Sequence, residues 1–126
     1  MDSLKKSEHL STGEKGETIA ENYLRHLDYM ILDKNWSFRH KELDLIALDG
    51  DELVVVEVKT RTEPVIDDPH LSVNRKKQRN IISAANAYIR FNRISLDVRF
   101  DIIWIRIDVS GRAQVEHIKN AFIALL

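Results

Sequence analysis

The run Leu53-Val54-Val55-Val56-Glu57-Val58-Lys59 constrains this chain more than any other stretch. Consecutive branched aliphatic residues make a strand that needs hydrocarbon on both faces, which places it inside a sheet. The same strand then continues into a carboxylate and an ammonium. A carboxylate taken out of water costs several kcal/mol unless it is paired or holds a cation. A fold built on this strand must therefore supply Glu57 with a partner.

The natural place to look is the segment just upstream. Residues 41–48 and 52–60 read as two strands joined by a turn at Asp49-Gly50-Asp51. Side chains alternate across a strand, so Glu42, Asp44, Ile46 and Leu48 share one face, and Val55, Glu57, Lys59 and Arg61 share another. A turn at Gly50-Asp51, or a longer loop from Asp49 to Glu52, sets Asp44 opposite Glu57 and Glu42 opposite Lys59. A turn at Asp49-Gly50 slides the register but keeps the four charges together, whereas an odd-numbered loop without a bulge separates them. In the favoured register two carboxylates face each other at about 5 Å, which is repulsive without a cation between them. Oxygen ligands in a chain with no cysteine suit a hard ion, Mg²⁺ or Mn²⁺, over zinc. Lys59 points into the same space, where an ammonium holds a water or stabilises a developing oxyanion.

The rest of the 126-residue chain reads as one domain, residues 12–126, behind a flexible polar tail of residues 1–11. Ser11-Thr12-Gly13-Glu14 has the form of a capping box. Ile19, Ala20, Tyr23, Leu24 and Leu27 keep helical spacing over residues 12–28. A strand follows at 29–36, then the hairpin, then a loop holding Pro64 and Pro69. Residues 73–92 form a second helix with Ile81, Ala84, Ala85, Tyr88 and Ile89 inward. Residues 98–107 form a central strand, residues 113–118 an edge strand, and the terminal NAFIALL packs against the body. The order α-β-β-β-α-β-β implies an α/β fold with a mixed central sheet flanked by helices. The strands on either side of the second helix can then be parallel neighbours. No apolar stretch is long enough to span a bilayer, and MDSLKKSEHLS lacks the apolar centre of a secretory signal. With no disulfide to form, the expected compartment is the cytoplasm.

Net charge is only −1, yet between Leu71 and Phe100 seven cations (Arg75, Lys76, Lys77, Arg79, Arg90, Arg93 and Arg99) face one acid, Asp97. Arg75, Arg79, Asn86, Arg90 and Arg93 fall within about 60° of one another on a helical wheel, opposite Ile81 and Tyr88. This stripe, with Lys76 and with Arg61 beside the acids, suits phosphate contacts. The histidines, His9, His26, His40, His70 and His117, show no metal-ligand spacing. Asp101 reads as structural. Trp36 and Trp104 read as core or sheet-edge residues, with Trp36 also placed to stack on a base.

Asp44 followed by Glu57-Val58-Lys59 resembles the signature of the PD-(D/E)XK superfamily of restriction-endonuclease-like nucleases. The stretches GEKGETIAENYL, ELDLIALD, VVVEVKTR, RFDIIWI and HIKNAF, running from Gly13 to Phe122, resemble the YraN-like family of small bacterial proteins, itself similar to archaeal Holliday junction resolvases. The resemblance implies a restriction-endonuclease-like αβββαβ core and a metal held by Asp44, Glu57 and the carbonyl of Val58. It also implies that Lys59 assists attack of water on a phosphodiester. Glu17 matches an acid that resolvase-like relatives bring to the metal, and its spacing before Ala20 and Leu24 sets it at the border of the apolar stripe. Glu42 is a further candidate ligand. Lys41 departs from the glycine expected there and threatens to crowd the start of the strand, and no proline precedes Asp44. The expected activity is a Mg²⁺-dependent endonuclease acting on DNA, selective for branched or flapped structure because so short a chain has little with which to read base edges. A non-catalytic nucleic-acid-binding or scaffold protein of the same fold, and an RNA-directed nuclease, are the alternatives. A homodimer stays open.

Overall fold

The computed structural model describes residues 10–124, so the expected tail falls outside them except at Leu10 and Ser11, as do the last two residues of NAFIALL. Helix α1 spans Thr12–His26 and is capped by Ser11, whose hydroxyl accepts from the Glu14 amide at 3.1 Å. Strands β1 (Met30–Phe38), β2 (Lys41–Asp49) and β3 (Glu52–Thr62) follow as a meander. A short 3₁₀ turn at Pro69–Leu71 interrupts the proline-containing loop before helix α2, Arg75–Phe91. Strands β4 (Asp97–Ile107) and β5 (Ala113–Phe122) complete the chain. The fold is thus an αβββαβ core with one further strand.

The five strands lie in sequence order, and only β3 and β4 run parallel, joined through α2. Helix α2 covers one face of the sheet. Its Ile81, Ala84, Ala85 and Tyr88 pack on Ile46, Leu53, Val55, Phe100 and Ile102. Helix α1 covers the other, with Ala20 and Leu24 against Leu45, Ala47, Val54, Val56, Ile103 and Ile105. The valine run of β3 therefore has helices over both faces, as its unbroken hydrophobicity requires.

Most element limits fall within two residues of the sequence reading. Leu27, expected on the apolar stripe of α1, lies beyond the helix end and is exposed. The last strand is longer than expected and takes in Asn120-Ala121-Phe122 from the terminal segment, with Phe122 buried. Arg93 belongs to no helical stripe, because α2 ends at Phe91 and Arg93 has φ +52°.

Asp101, fully buried on β4, is the best-satisfied acid of the fold. Its carboxylate accepts two bonds from Arg99 at 2.9 and 3.0 Å, one from the Asn120 amide at 2.9 Å, and pairs with His117 Nε2 at 2.7 Å. Burial alone would raise its pKa. The bonds from His117, Arg99 and the Asn120 amide outweigh burial and hold it below the ordinary carboxylate range. Arg99 in turn reaches Asp49, Glu52 and the Tyr29 hydroxyl. This network ties the β2–β3 turn to β4 and gives Asp101 the structural role its sequence position suggested.

Gly16 sets how closely α1 approaches β3. A Cβ at this position would lie 1.8 Å from Thr60 Oγ1 and 2.9 Å from Thr60 Cβ. Gly16→Ala is expected to push the helix off the strand and destabilise the protein by about 1–3 kcal/mol. Chemical denaturation checks this, and adding Thr60→Ala should recover part of the loss.

Candidate functional site

The register of the β2–β3 hairpin is the one expected from a turn at Gly50-Asp51: Asp49 pairs with Glu52, and the ladder runs to Leu45↔Val56. There it stops. Beyond that point β2 leaves β3, and the Val58 amide donates not to a backbone carbonyl but to Asp44 Oδ2, at 2.9 Å. The plain alternation expected for Glu42, Asp44, Ile46 and Leu48 fails at the same place. Leu45, in β2, packs on the α1 side and Leu43 on the α2 side. The neighbouring strand breaks in step. Lys34, paired with Leu45, reaches Glu21 of α1, whereas Trp36, paired with Leu43, packs on the α2 side. Asn35 and Asp44 lie between these two pairs, and Asn35 has φ +49°, a conformation asparagine tolerates better than most residues.

This shared irregularity gathers the acids. Glu57 is buried (5% exposed), and its Oε2 has no hydrogen-bond partner. Its nearest cation is Lys77 of α2, whose Nζ lies 3.5 Å away without hydrogen-bond geometry. Burial, and then the Asp44 carboxylate beside it, push the Glu57 pKa up to about 8, against the weaker pull of Lys77 and Lys59. Glu17 projects from α1 toward the same break, brought there by the close approach at Gly16. Its pKa is also raised, first by burial and then by Asp44, with Glu42 adding to the effect. With its amide nitrogen turned toward the two acids, as their acceptor oxygens demand, Asn35 donates to Glu42 Oε1 at 3.0 Å and Glu17 Oε2 at 3.2 Å. A cavity of about 180 Å³ between α1 and the hairpin is lined by Glu14, Glu17, Glu21, Lys34, Asn35 and Asp44.

The sequence-derived residues therefore divide. Asp44 stands at the point where β2 leaves β3, near Glu17 on the α1 side and beside Glu57, which Lys59, one alternation further along β3, also influences. Glu42 is near, but turned to Asn35 and not opposed to Lys59, because the ladder ends before it. Arg61 is drawn away. It pairs with Asp67 at 3.0 Å and lies over the Trp104 ring. Trp104 itself is buried. Arg75, Lys76, Arg79 and Arg90 lie on the outer side of α2, opposite buried Ile81 and Tyr88. Lys41 does not crowd its strand, since its ammonium reaches across to Ser83 Oγ at 3.0 Å. Asn35 and Lys77 are site residues that sequence reasoning did not single out. Lys77 was one cation among seven, and only the tilt of α2 tells it apart.

The residues gathered at this break fall inside a span shared with known proteins. A family model described as "Uncharacterised protein family UPF0102" matches residues 16–105, which hold Glu17, Asn35, Glu42, Asp44, Glu57, Lys59 and Lys77. The chain belongs to the UPF0102 family. It is similar to a UPF0102 protein of Parabacteroides distasonis, 46% identical over 112 residues, covering 89% of this chain and 92% of the relative. A UPF0102 protein of Chlorobium chlorochromatii is 44% identical over 87% of this chain and 89% of its own length. One of Bacteroides thetaiotaomicron is 40% identical over 92% and 95% respectively. Among the described residues of this UPF0102 chain, no helix is long and apolar enough to cross a membrane.

Chemically, the gap holds a buried Glu57 that burial and the adjacent Asp44 carboxylate keep protonated, with the Lys77 ammonium 3.5 Å from its Oε2. Among the described residues no three acids or histidines already stand at the spacing of a closed metal cage. An ion at this point would bind through one or two carboxylates and complete its shell with a main-chain carbonyl and water, which is the habit of Mg²⁺.

The raised Glu57 pKa gives a signed expectation. Between the ordinary carboxylate value and about 8, the folded protein keeps a proton that the unfolded chain has released. The stability that this group contributes is present at acid pH and is lost as pH rises toward about 8. Denaturation of the chelated protein across that window should show stability falling, and Glu57→Gln should flatten much of the slope. Calorimetry should find Mg²⁺ or Mn²⁺ binding more tightly as pH rises, with proton release, and Asp44→Asn or Glu57→Gln should abolish it. Unchanged binding in both variants would place the ion elsewhere.

Proposed function

We propose that this protein is a divalent-metal-dependent nuclease that hydrolyses phosphodiester bonds of DNA, selecting structure over sequence. The observation that carries the reading is the buried Glu57 carboxyl beside Asp44 at the break between β2 and β3, its Oε2 without a hydrogen bond and 3.5 Å from the Lys77 ammonium, with Lys59 on the same strand. A folded protein leaves such an oxygen idle at a free-energy cost, and a cation site is the simplest use for it. The resemblance of Asp44 and Glu57-Val58-Lys59 to the PD-(D/E)XK signature supports the same reading, as does the αβββαβ core.

Asp44, Glu57 and the Val58 carbonyl would hold the ion, and Glu17 and Glu42 border it. When bound, the ion supplies positive charge and Lewis acidity to the scissile phosphate. Asp44 is fixed for this work by the Val58 amide, which occupies one of its oxygens and leaves the other for the ion. Lys59 is the group for the water. Its ammonium orients the attacking oxygen and offsets charge growing on the phosphate. Water attacks phosphorus, one ester P–O bond breaks, and the leaving oxygen takes up a proton. Lys77 offsets charge on Glu57, and Arg75, Lys76, Arg79 and Arg90 of α2 present a phosphate-binding edge beyond it.

The test is cleavage of labelled duplex, single-stranded, flapped and four-way DNA, and of RNA, with Mg²⁺ or Mn²⁺. Scission is expected on branched or flapped DNA. Lys59→Ala should slow it by roughly 10²-fold or more while metal and DNA binding persist. No scission of any substrate would leave a nucleic-acid-binding protein that keeps the fold, and scission of RNA alone would change the substrate. Unimpaired cutting by Lys59→Ala would move the chemistry away from this strand.

A second measurement checks the basic helix. Arg75→Ala with Arg79→Ala should weaken DNA binding alike across sequences. The salt dependence should fall by about one unit for each arginine that had neutralised a phosphate. An unaltered salt slope would make the stripe a solvated face.

A further inference from the structure

Immediately after Asn35, half-buried Trp36 packs edge-on against Tyr88 of the core at 5.2 Å and, with half-buried Phe38, opens an aromatic cluster that continues outward to Phe91. Trp36 and Phe38 stack with ring planes 7° apart and centroids at 6.3 Å. Phe91, the last residue of α2, stands edge-on to both, at 6.2 and 6.1 Å, and is 69% exposed. Phe38 carries the Arg39 guanidinium over its ring at 5.1 Å. A large aromatic ring left in water at the end of a helix forfeits most of its burial energy, so its presence there calls for an occupant.

Charge indicates which one. Arg39, His40 and Lys41 lie at the tip of the β1–β2 hairpin, and Arg90 and Arg93 flank Phe91 in sequence. The acids closest in the strands, Asp33 and Glu42, are turned to other groups. Asp33 accepts from the Tyr88 hydroxyl at 2.9 Å, and Glu42 faces the Asn35 amide. The hairpin turn itself is costly. Arg39 and His40 both take left-handed conformations, φ +49° and +66°, where Asn-Gly would be the relaxed choice. The turn is nonetheless held over α2 by the bond from Lys41 to Ser83. Strain of this kind, kept by residues that then project a cation onto an aromatic face, points to binding.

We infer that the Trp36–Phe38–Phe91 cluster with Arg39 is a stacking platform for an unpaired nucleobase, its flanking phosphates taken by Arg39, Arg90 and Arg93. Bases inside a duplex already stack on both faces and have none to offer, so the platform selects single-stranded or frayed nucleic acid. Asn35, which holds Glu17 and Glu42, precedes Trp36 in β1, so the platform begins one residue along the strand from the acids, on the α2 side of the sheet. The inference rests on the nuclease reading for its location, and deepens it by naming unpaired strands as the substrate class.

The test measures binding alone, in chelator, so that it does not depend on cleavage. Wild type should bind fluorescein-labelled oligothymidylate, and relaxed circular duplex DNA should compete poorly. Phe91→Ala should weaken the oligothymidylate by roughly tenfold while leaving duplex affinity unchanged, and Phe91→Trp should restore it. Oligouridylate in parallel tells DNA from RNA. Platform binding with no scission by any form would sink the nuclease reading and leave this inference standing. Absence of single-strand binding, equal loss on both substrates in Phe91→Ala, or a wild-type dimer that Phe91→Ala dissociates would overturn it. The last result would make the cluster a contact between copies.

Discussion

Where β2 parts from β3, the Val58 amide loses a strand partner and takes the Asp44 carboxylate. The acid site depends on that one replacement. It fixes Asp44 in the gap of the sheet, sets it beside Glu57, and leaves Glu57 with a raised pKa and an unsatisfied oxygen. The fold contains its own comparison. Asp101 is buried at least as completely as Glu57, yet every approach to it is filled by a donor, from Arg99, His117 and the Asn120 amide. One buried acid is finished and one is not. Two acids in the same sheet thus differ in what meets them: the first ties the β2–β3 turn to β4 through Arg99, and the second has the Lys77 ammonium at 3.5 Å and Asp44 beside it.

The rigid surroundings fit that division. Helix α1 reaches β3 closely only because Gly16 has no side chain to meet Thr60, and this approach delivers Glu17. Helix α2 delivers Lys77 to Glu57 from the other face. The gap is thus framed by two helices and two strands, none of which owes its position to a loop. Residues set on helices and strands keep their geometry more closely than residues set on loops.

Much of this was legible in the sequence because it follows from short-range rules. The valine run placed Glu57 indoors, the Asp-Gly-Asp turn set the register, and the helix periods gave the two covering elements. The resemblance to known nucleases picked out Glu17, which spacing alone could only set at a helix border. What stayed hidden depends on long-range placement. A single break in alternation moved Glu42 away from Lys59 and brought Asn35 in. No residue in KNWSF or KELDL announces that break, because it arises from two strands adjusting to each other. For the same reason Arg61 turned to Asp67, and Lys77, for which sequence reasoning had no separate role, came to Glu57. Which of several cations meets an acid is decided by the crossing of α2 and by Asp67 on the loop, neither of which has a local signature.

The two outer strands carry a consequence of their own. β1 has a register shift between Ile31 and Asp33 and a left-handed residue at Asn35, and β5 has a shift opposite Phe100–Ile102 and a left-handed residue at Asn120. Each interrupts the row of open amides and carbonyls that an exposed edge would offer to a foreign strand. Irregularities of this kind blunt both edges of the sheet against pairing with a foreign strand.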